Sequence, residues 1–567
     1  MKMINILCAF IMACFMASCS SDDDNNKKDE SVRFPKFLYS SPTDQSVDVS
    51  LDTEVSIIYN TSISIAEDAQ IKVNNEKIGF TINDRKLTLK ISLEKNKTYS
   101  IVVPAGVVKN AIDQGADAVS LSFSTVSDTK LLEAEKAVLS GNAVVDNSIA
   151  GFSGTGYVNQ KDGDITFKVN LPGAGKYKIG FRYCNGNQYK ENDLVVNGVR
   201  LSTLAFDATT EWKTVYVDKV ALKSGENTIA IKKNWGWIYL DYIDVKPADA
   251  DIPFVLAENL VTTSSSQEAK NLYAFLKENF GKKVISGAMA NYSTGIEEAQ
   301  WMHDNTGKWP ALTGFDFINY TRDWGTINFT ELVSNAKEWW SNNGIVTIMW
   351  HWRDPLKKTD GFYTKDTSFD VSKMSDVNSP EYKALVADID VVAGYLKQLQ
   401  DNNIPVLWRP LHEASGKWFW WGAQGAEPCK ALWKLMYDRL VNVHKLNNLI
   451  WVWTTDTAGD ALNWYPGDNY VDVIGLDIYP GENQHGSQYV AFDKVKTLYG
   501  GKKIITLSEC GSIPAVNDMF ENGDVWSWIM PWNGDYTRSD KHNGATYLKS
   551  LFSDDRVITR DKMPSLK

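Results

Sequence analysis

Residues 405–422 read Pro-Val-Leu-Trp-Arg-Pro-Leu-His-Glu-Ala-Ser-Gly-Lys-Trp-Phe-Trp-Trp-Gly, a short apolar run that ends in Trp408, Arg409, His412 and Glu413 and is followed by four more aromatics. A carboxyl that ends a buried strand beside indole rings is partly desolvated, and its pKa rises because burial penalises the charged form. That is what a general acid near neutral pH requires. Indoles offer flat apolar faces with one polar edge, which suits stacking on sugar rings. One such Glu could equally cap a strand beside a core cluster. A second run changes the balance, since Ile504-Ile505-Thr506-Leu507-Ser508-Glu509-Cys510-Gly511 ends in the same way. Two carboxyls flanking one bond are the apparatus of glycoside hydrolysis.

The elements that must position this pair follow from pattern. From about Leu256 to Lys567, apolar strand-like runs alternate with helical stretches, the signature of a parallel α/β fold. Eight strands are expected at Val284–Met289, Pro310–Phe317, Gly344–Trp352, Pro405–Glu413, Leu449–Asp456, Val471–Tyr479, Lys503–Gly511 and Trp526–Trp532. Gln267–Asn279 and Pro380–Asp401 show helical apolar spacing. Eight such units fit a (β/α)8 TIM barrel over 256–567, whose chemistry sits at the C-terminal strand ends. The residues able to do chemistry fall there: Asp316, His351, Trp352, His412, Glu413, Asp477, Tyr479, Glu509 and Trp532.

Both carboxyl runs resemble glycoside hydrolase family 26, most of whose members are endo-β-1,4-mannanases. Trp408-Arg409-Pro410-Leu411-His412-Glu413, with Trp418 five residues on, matches the family's acid/base strand. The spacing to Glu509 fits three intervening β/α units. The resemblance implies a retaining double displacement with Glu413 as acid/base and Glu509 as nucleophile. Tyr479 would hydrogen-bond Glu509, keeping it ionised and aimed. His351, Trp352, His412, Trp418, Asp477 and Trp532 would line the substrate cleft, and no cofactor would be needed. Ala414-Ser415 stand where Met-Asn is common, which leaves the local subsite preference open. Two rivals remain: a mixed-linkage β-glucanase or β-1,3-xylanase of the same fold, and a non-catalytic glycan-binding lipoprotein.

At 567 residues the chain exceeds one domain. All its tryptophans but Trp212, Trp235 and Trp237 lie beyond residue 250. Residues 34–127 show short alternating stretches such as Glu54–Tyr59 and Thr98–Val103 at sandwich-like spacing, and resemble bacterial Ig-like domains. Residues 131–248 resemble carbohydrate-binding module family 35, a β-jelly roll, through Leu132-Glu133-Ala134-Glu135, Gly151–Val158 and Leu240-Asp241-Tyr242-Ile243. Structural calcium is implied near Glu133, Glu135 and Asp241, whose hard oxygens suit it. Trp235 and Trp237 flank a glycine, which suits an exposed platform, with Tyr157, Arg182 and Asn234 as polar partners for a sugar.

Lys2, the apolar run Ile4–Phe15 and Met16-Ala17-Ser18-Cys19 resemble a bacterial lipoprotein signal, too short for a transmembrane helix. Residues 1–18 would be removed, Cys19 acylated as a membrane anchor, and 19–33 left as a tether whose acidic start resembles tags of surface-exposed outer-membrane lipoproteins. The remaining cysteines, Cys184, Cys429 and Cys510, are too scattered for a disulfide framework, and Cys510 reads as a buried barrel residue. A net charge of −11 argues against nucleic acid, whose binding needs basic patches, and suits a neutral polysaccharide such as β-mannan. A monomer is expected.

Overall fold

The computed structural model describes residues 34–567 except 96, 126–128, 172, 292–294 and 322–328. Cys19 and the signal lie outside the described residues. One compact unit lies within residues 34–123, and Ser124–Lys567 belongs to a second.

Residues 37–125 are all-β. Strands Phe37–Ser41, Ser56–Tyr59, Lys86–Leu89 and Phe80–Asn83 form one sheet, and Ser46–Val49, Val119–Thr125, Thr98–Val103, Lys72–Val73 and Glu76–Lys77 another. Alternation drives the burial: in Thr98–Val103, Tyr99, Ile101 and Val103 point inward while Thr98 and Ser100 face solvent.

Residues 130–247 form two antiparallel sheets. One runs Val144–Asp146, Tyr157–Asn159, Tyr239–Pro247, Gly175–Cys184, Lys213–Leu222, with Lys130–Glu133 also on Tyr239–Pro247. The other runs Val138–Leu139, Ile165–Leu171, Gly225–Trp235, Lys190–Val196, Val199–Phe206. Inward residues of both, among them Phe167, Phe181, Leu194, Ile229 and Ile243, make one core. Pairing of Lys130–Glu133 with Tyr242–Val245 brings the chain ends of this module together.

The barrel follows. Its strands are β1 (Val284–Met289), β2 (Leu312–Asp316), β3 (Ile345–Trp350), β4 (Val406–Pro410), β5 (Leu449–Thr455), β6 (Val473–Ile478), β7 (Ile504–Cys510) and β8 (Trp528–Pro531). Neighbours pair in parallel around the ring, and β1 meets both β8 and β2, so the sheet closes. All eight expected strands are present. Helices Gln267–Asn279 and Pro380–Gln400 form where the spacing places them. Ser266 Oγ accepts from the Ala269 amide and Ser379 Oγ from the Tyr382 amide, so both helices begin on a side-chain cap. Pro380, in the first turn of its helix, needs no hydrogen bond from its nitrogen.

The tryptophan load is mostly structural. Trp339, Trp350, Trp408, Trp433, Trp451, Trp453, Trp526 and Trp528 are fully buried between barrel and helices. Of the aromatic run after Glu413, Phe419, Trp420 and Trp421 are buried and only Trp418 is exposed. Cys184, Cys429 and Cys510 are buried free thiols, and burial pushes Cys510 well above the usual thiol range.

Module and barrel interlock. Tyr489 and Val490, at the start of helix Tyr489–Leu498, are buried in the module's own core. Lys219 of the module pairs with Asp493 on that helix, and also with Asp251, which Lys496 reaches at 2.6 Å. Gly459 abuts the module so closely that a Cβ there would stand 2.5 Å from Asp207 Oδ2.

Candidate active site

Strand geometry builds the centre. β6 and β7 slip register between Leu476 and Asp477, which pairs Asp477 with Glu509. From β4, Arg409 reaches both: Nη1 donates to Asp477 Oδ2 at 2.9 Å and Nη2 donates to Glu509 Oε1. Tyr479 donates its hydroxyl to Glu509 Oε2 at 2.6 Å, so both oxygens of Glu509 are held. Ser508 Oγ donates to Asp477 Oδ1 at 2.7 Å, and Arg409 Nη1 also meets Thr454 Oγ1.

Glu413 enters by a different route. β4 ends at Pro410, and Leu411 and Glu413 both take left-handed backbone, each with φ 52°. Such conformations cost about 1–3 kcal/mol each in non-glycine residues and collect at functional sites. The turn ends strand alternation and brings Glu413 over the barrel mouth, where Trp418 Nε1 donates to its Oε2 at 3.1 Å. Glu413, Asp477 and Glu509 then bring one oxygen each within 4.8 Å of the others. Arg409 supplies the positive charge among them. One guanidinium faces three acidic groups, which favours the protonated form of the one it compensates least. Burial first, then the charges of Asp477 and Glu509, push Glu413 up to about 8. Burial also raises Asp477, against the pull of Arg409. The arrangement therefore pairs an aromatic-flanked carboxyl whose pKa is raised with a carboxyl fixed by two donors.

The expected cleft residues divide. His351, just past β3, receives both oxygens of Asp316: its amide donates to Oδ1 at 2.9 Å and its Nδ1 lies 2.6 Å from Oδ2. With Trp532, Phe362 and Tyr363 it lines a cavity of about 360 Å³. Trp418 is exposed beside Glu413. His412 is buried, 4.5 Å from the His351 ring and packed on Phe419 and Trp421. Burial and the neighbouring His351 and Arg409 hold it neutral, well below its usual pKa. Trp352 corrects the expectation. It is fully buried, stacked 3.9 Å on Trp350, with its indole N–H donated to Asp388 at 2.8 Å. As neighbours in extended chain, His351 and Trp352 point to opposite sides, and only the first meets the cleft. Arg409, noted in the sequence only as part of the motif, is the site's hub, and Tyr363 was missed altogether. An Arg inside an apolar strand signals the first, while the loop holding Tyr363 carries no periodic signal.

Comparison with known proteins places this centre. The model of Glycosyl hydrolase family 26 matches residues 261–562, more than half of the chain. The chain belongs to glycosyl hydrolase family 26. Models of the carbohydrate binding module (family 35) and of a bacterial Ig-like domain match 130–248 and 32–125. Mannan endo-1,4-beta-mannosidase B of Piromyces sp is 37% identical over 458 residues, 78% of this chain and 79% of that protein. The crystal structure of the Podospora anserina GH26-CBM35 beta-(1,4)-mannanase shares 34% identity at a TM-score of 0.54, covering 77% of this chain and 99% of that one. A beta-mannanase from a symbiotic protist of the termite Reticulitermes speratus, solved with a gluco-manno-oligosaccharide, shares 40% identity at 0.53, covering 55% and 99%.

The module of this family 26 enzyme holds two separate clusters. At one edge Trp235 and Trp237 are 60% and 44% exposed, with Lys190 Nζ 5.6 and 5.1 Å from their rings. Asn234 donates to Asp193 Oδ1 at 3.0 Å beside them. Arg182 and Tyr157 are elsewhere, which corrects their assignment to the tryptophan platform. Tyr157 is fully buried against Trp212 and Tyr239. Arg182 donates to Asp241 and to the Gly151 carbonyl.

The residues expected to hold calcium are adjacent but not equivalent. Asp241 is already engaged, by Arg182 and by the Ser153 amide. Glu133 and Glu135 each keep one buried oxygen, Oε2, without a partner, while their other oxygens accept from Ser153 and Thr155. Two orphaned carboxylate oxygens at one loop fit a hard cation, with Glu133 and Glu135 as its ligands. EDTA should then lower the melting temperature of the full chain, and calcium should restore it by about 2–4 °C, because a ligand bound only to the folded state stabilises it. Scanning calorimetry with no shift in either direction would remove the cation role of the two glutamates.

Proposed function

We propose that this family 26 glycoside hydrolase cuts β-1,4-mannosidic bonds inside mannans, with retention, using Glu509 as nucleophile and Glu413 as acid/base. One observation carries the reading: oxygens of the two carboxyls lie within 4.8 Å, one carboxyl held by Arg409 and Tyr479 and the other accepting from Trp418. Retaining pairs stand about 5–5.5 Å apart, whereas inverting pairs leave roughly 6.5–9.5 Å for a water. The substrate follows from relatives named mannan endo-1,4-beta-mannosidases.

Glu509 attacks the anomeric carbon while Glu413 gives its proton to the leaving glycosidic oxygen. The new ester carries the sugar on Glu509. Glu413, now a base, takes a proton from water, whose oxygen displaces Glu509 and restores the starting configuration. His351, Tyr363 and Trp532 hold the sugar on one side of the pair, and Trp418 stacks beside the acid. Proton NMR of a fresh digest should show the β-anomer first, and α-anomer appearing first would overturn retention. Galactomannan, glucomannan, lichenan and β-1,3-xylan compared in one panel separate the mannanase from its rivals.

The module would hold the polymer. In gels containing β-mannan, a catalytically silent Glu509→Ala chain should be retarded. The retardation should weaken at least several-fold with Trp235→Ala or Trp237→Ala, since an exposed aromatic platform carries most of such contact energy. Equal mobility of all three would remove the platform role. The lipid anchor expected at Cys19 would set the enzyme on the outer cell surface, where protease added to intact cells should remove it.

A further inference from the structure

The seam between module and barrel holds a cavity of about 260 Å³ that the proposed mechanism leaves unfilled. Tyr189, Glu191 and Thr203 line it from the module, and Asp456, Tyr479 and Lys494 from the barrel. We propose that this junction cavity is a glycan subsite, filled by a distal sugar unit of the same chain whose bond is cut at Glu413 and Glu509. The proposal rests on the reading of that pair as a polysaccharide-cleaving centre.

Its position comes from the ring. The His351 cavity is framed by segments following β1, β2, β3 and β8, and the junction cavity by those following β5 and β6. In a closed ring of eight strands β2 and β6 stand opposite each other. Asp477 and Tyr479 put one wall of the junction cavity beside the carboxyl centre, and Ala491 and Lys494 of helix Tyr489–Leu498 form another. Tyr479 belongs to both places: its hydroxyl is bound to Glu509 while the same residue, 40% exposed, walls the junction cavity. On this proposal a linear chain that crosses the mouth past Tyr479 continues into it.

Its chemistry fits a neutral polyol. Glu191 and Asp456 offer acceptors, Lys494 offers donors, and Tyr189 offers a ring whose hydroxyl is anchored on Glu191 Oε1 at 2.6 Å. Lys494 is the telling residue. Its ammonium feels the charges of Asp207 and Asp456, which support the protonated form while burial lowers its pKa, and no hydrogen bond among the described residues fixes it. An ammonium has three donors, so sugar hydroxyls entering the cavity could be bound without breaking a hydrogen bond already made. The volume lies below the roughly 300–1,000 Å³ of drug-sized sites, enough for one sugar ring. Beyond it, Tyr189 stands 6.2 Å from Trp235, so the platform continues the same line.

The seam is also stiff enough to keep such a site shaped. Tyr489 and Val490 are buried in the module's core, and Lys219 and Lys496 share Asp251 across the boundary. Arg200, which lines the cavity too, is fixed on Asp193 at 3.0 Å, the residue that also receives Asn234.

The test compares the full chain with Tyr189→Ala and Glu191→Gln, reading kcat/KM on mannohexaose and on mannotriose. The ratio of long to short substrate should fall about tenfold in at least one variant, the loss expected for removing one distal contact set. Ratios within twofold of wild type for both would overturn the subsite. Glu191→Gln is isosteric, so it reads the site even if Tyr189→Ala does not fold. A wild-type chain that cleaves no β-mannan would instead remove the mannanase reading beneath it.

Discussion

Replacing Glu509 with alanine should cost at least about four orders of magnitude in kcat on mannan, because the covalent route disappears with its nucleophile. The fold should survive. Arg409 keeps Asp477 and Thr454 as partners, so the buried guanidinium is not stranded. Tyr479 and Nη2 of Arg409 lose their Glu509 acceptors, the first of them at the rim of the cleft. Azide should then restore part of the rate on an activated aryl mannoside. Its nitrogen fills the vacated space, bonds the anomeric carbon as the aryloxide departs, and leaves an α-mannosyl azide. A variant with more than about a tenth of wild-type activity would sink the assignment, as would rescue that returns a β-azide. Near-wild-type melting separates this from a structural loss.

Much of this site could be read from sequence because barrel strands announce themselves twice. They are buried on both faces, so each appears as an apolar run, and their functional ends stand out as the points where that run breaks into Asp, His or Glu. Asp316, His351, Glu413, Asp477 and Glu509 were all visible in this way. What failed were statements about which way a side chain points. Trp352 follows His351, and strand alternation alone sends it behind the wall, while two left-handed residues at Leu411 and Glu413 break that alternation one strand later. Positive φ at a leucine has no sequence signature. In the module, Tyr157 and Trp235 are both aromatic and near turns, yet one is core and the other platform, because packing partners from distant strands decide burial. The interlocked seam was also hidden. Nothing in the spacing of Lys219, Asp251 and Asp493 indicates that they meet.

Glu413→Ala should behave unlike Glu509→Ala, and pH should expose the difference. In the wild type, Glu413 is lifted to about 8, chiefly by burial and then by its acidic neighbours. Below that value it holds the proton that the leaving sugar needs, so kcat/KM on mannan should fall as pH rises through about 8. In Glu413→Ala this alkaline limb should vanish along with most activity on the polymer, roughly a 10²–10⁴-fold loss for a missing general acid. An aryl mannoside with a good leaving group needs little protonation, so its first step should persist and the sugar should accumulate on Glu509, visible as a mass increment on the intact chain. The same shift predicts a stability effect with a defined sign. A carboxyl raised on folding binds its proton more tightly in the native state, so its contribution is complete below the unfolded value of about 4.5 and is lost as pH climbs toward 8. Glu413→Gln cannot ionise. Its melting temperature relative to wild type should therefore rise between pH 5 and 8, and a difference that stays flat or shrinks over that range would mean that Glu413 is ionised throughout and is not the acid.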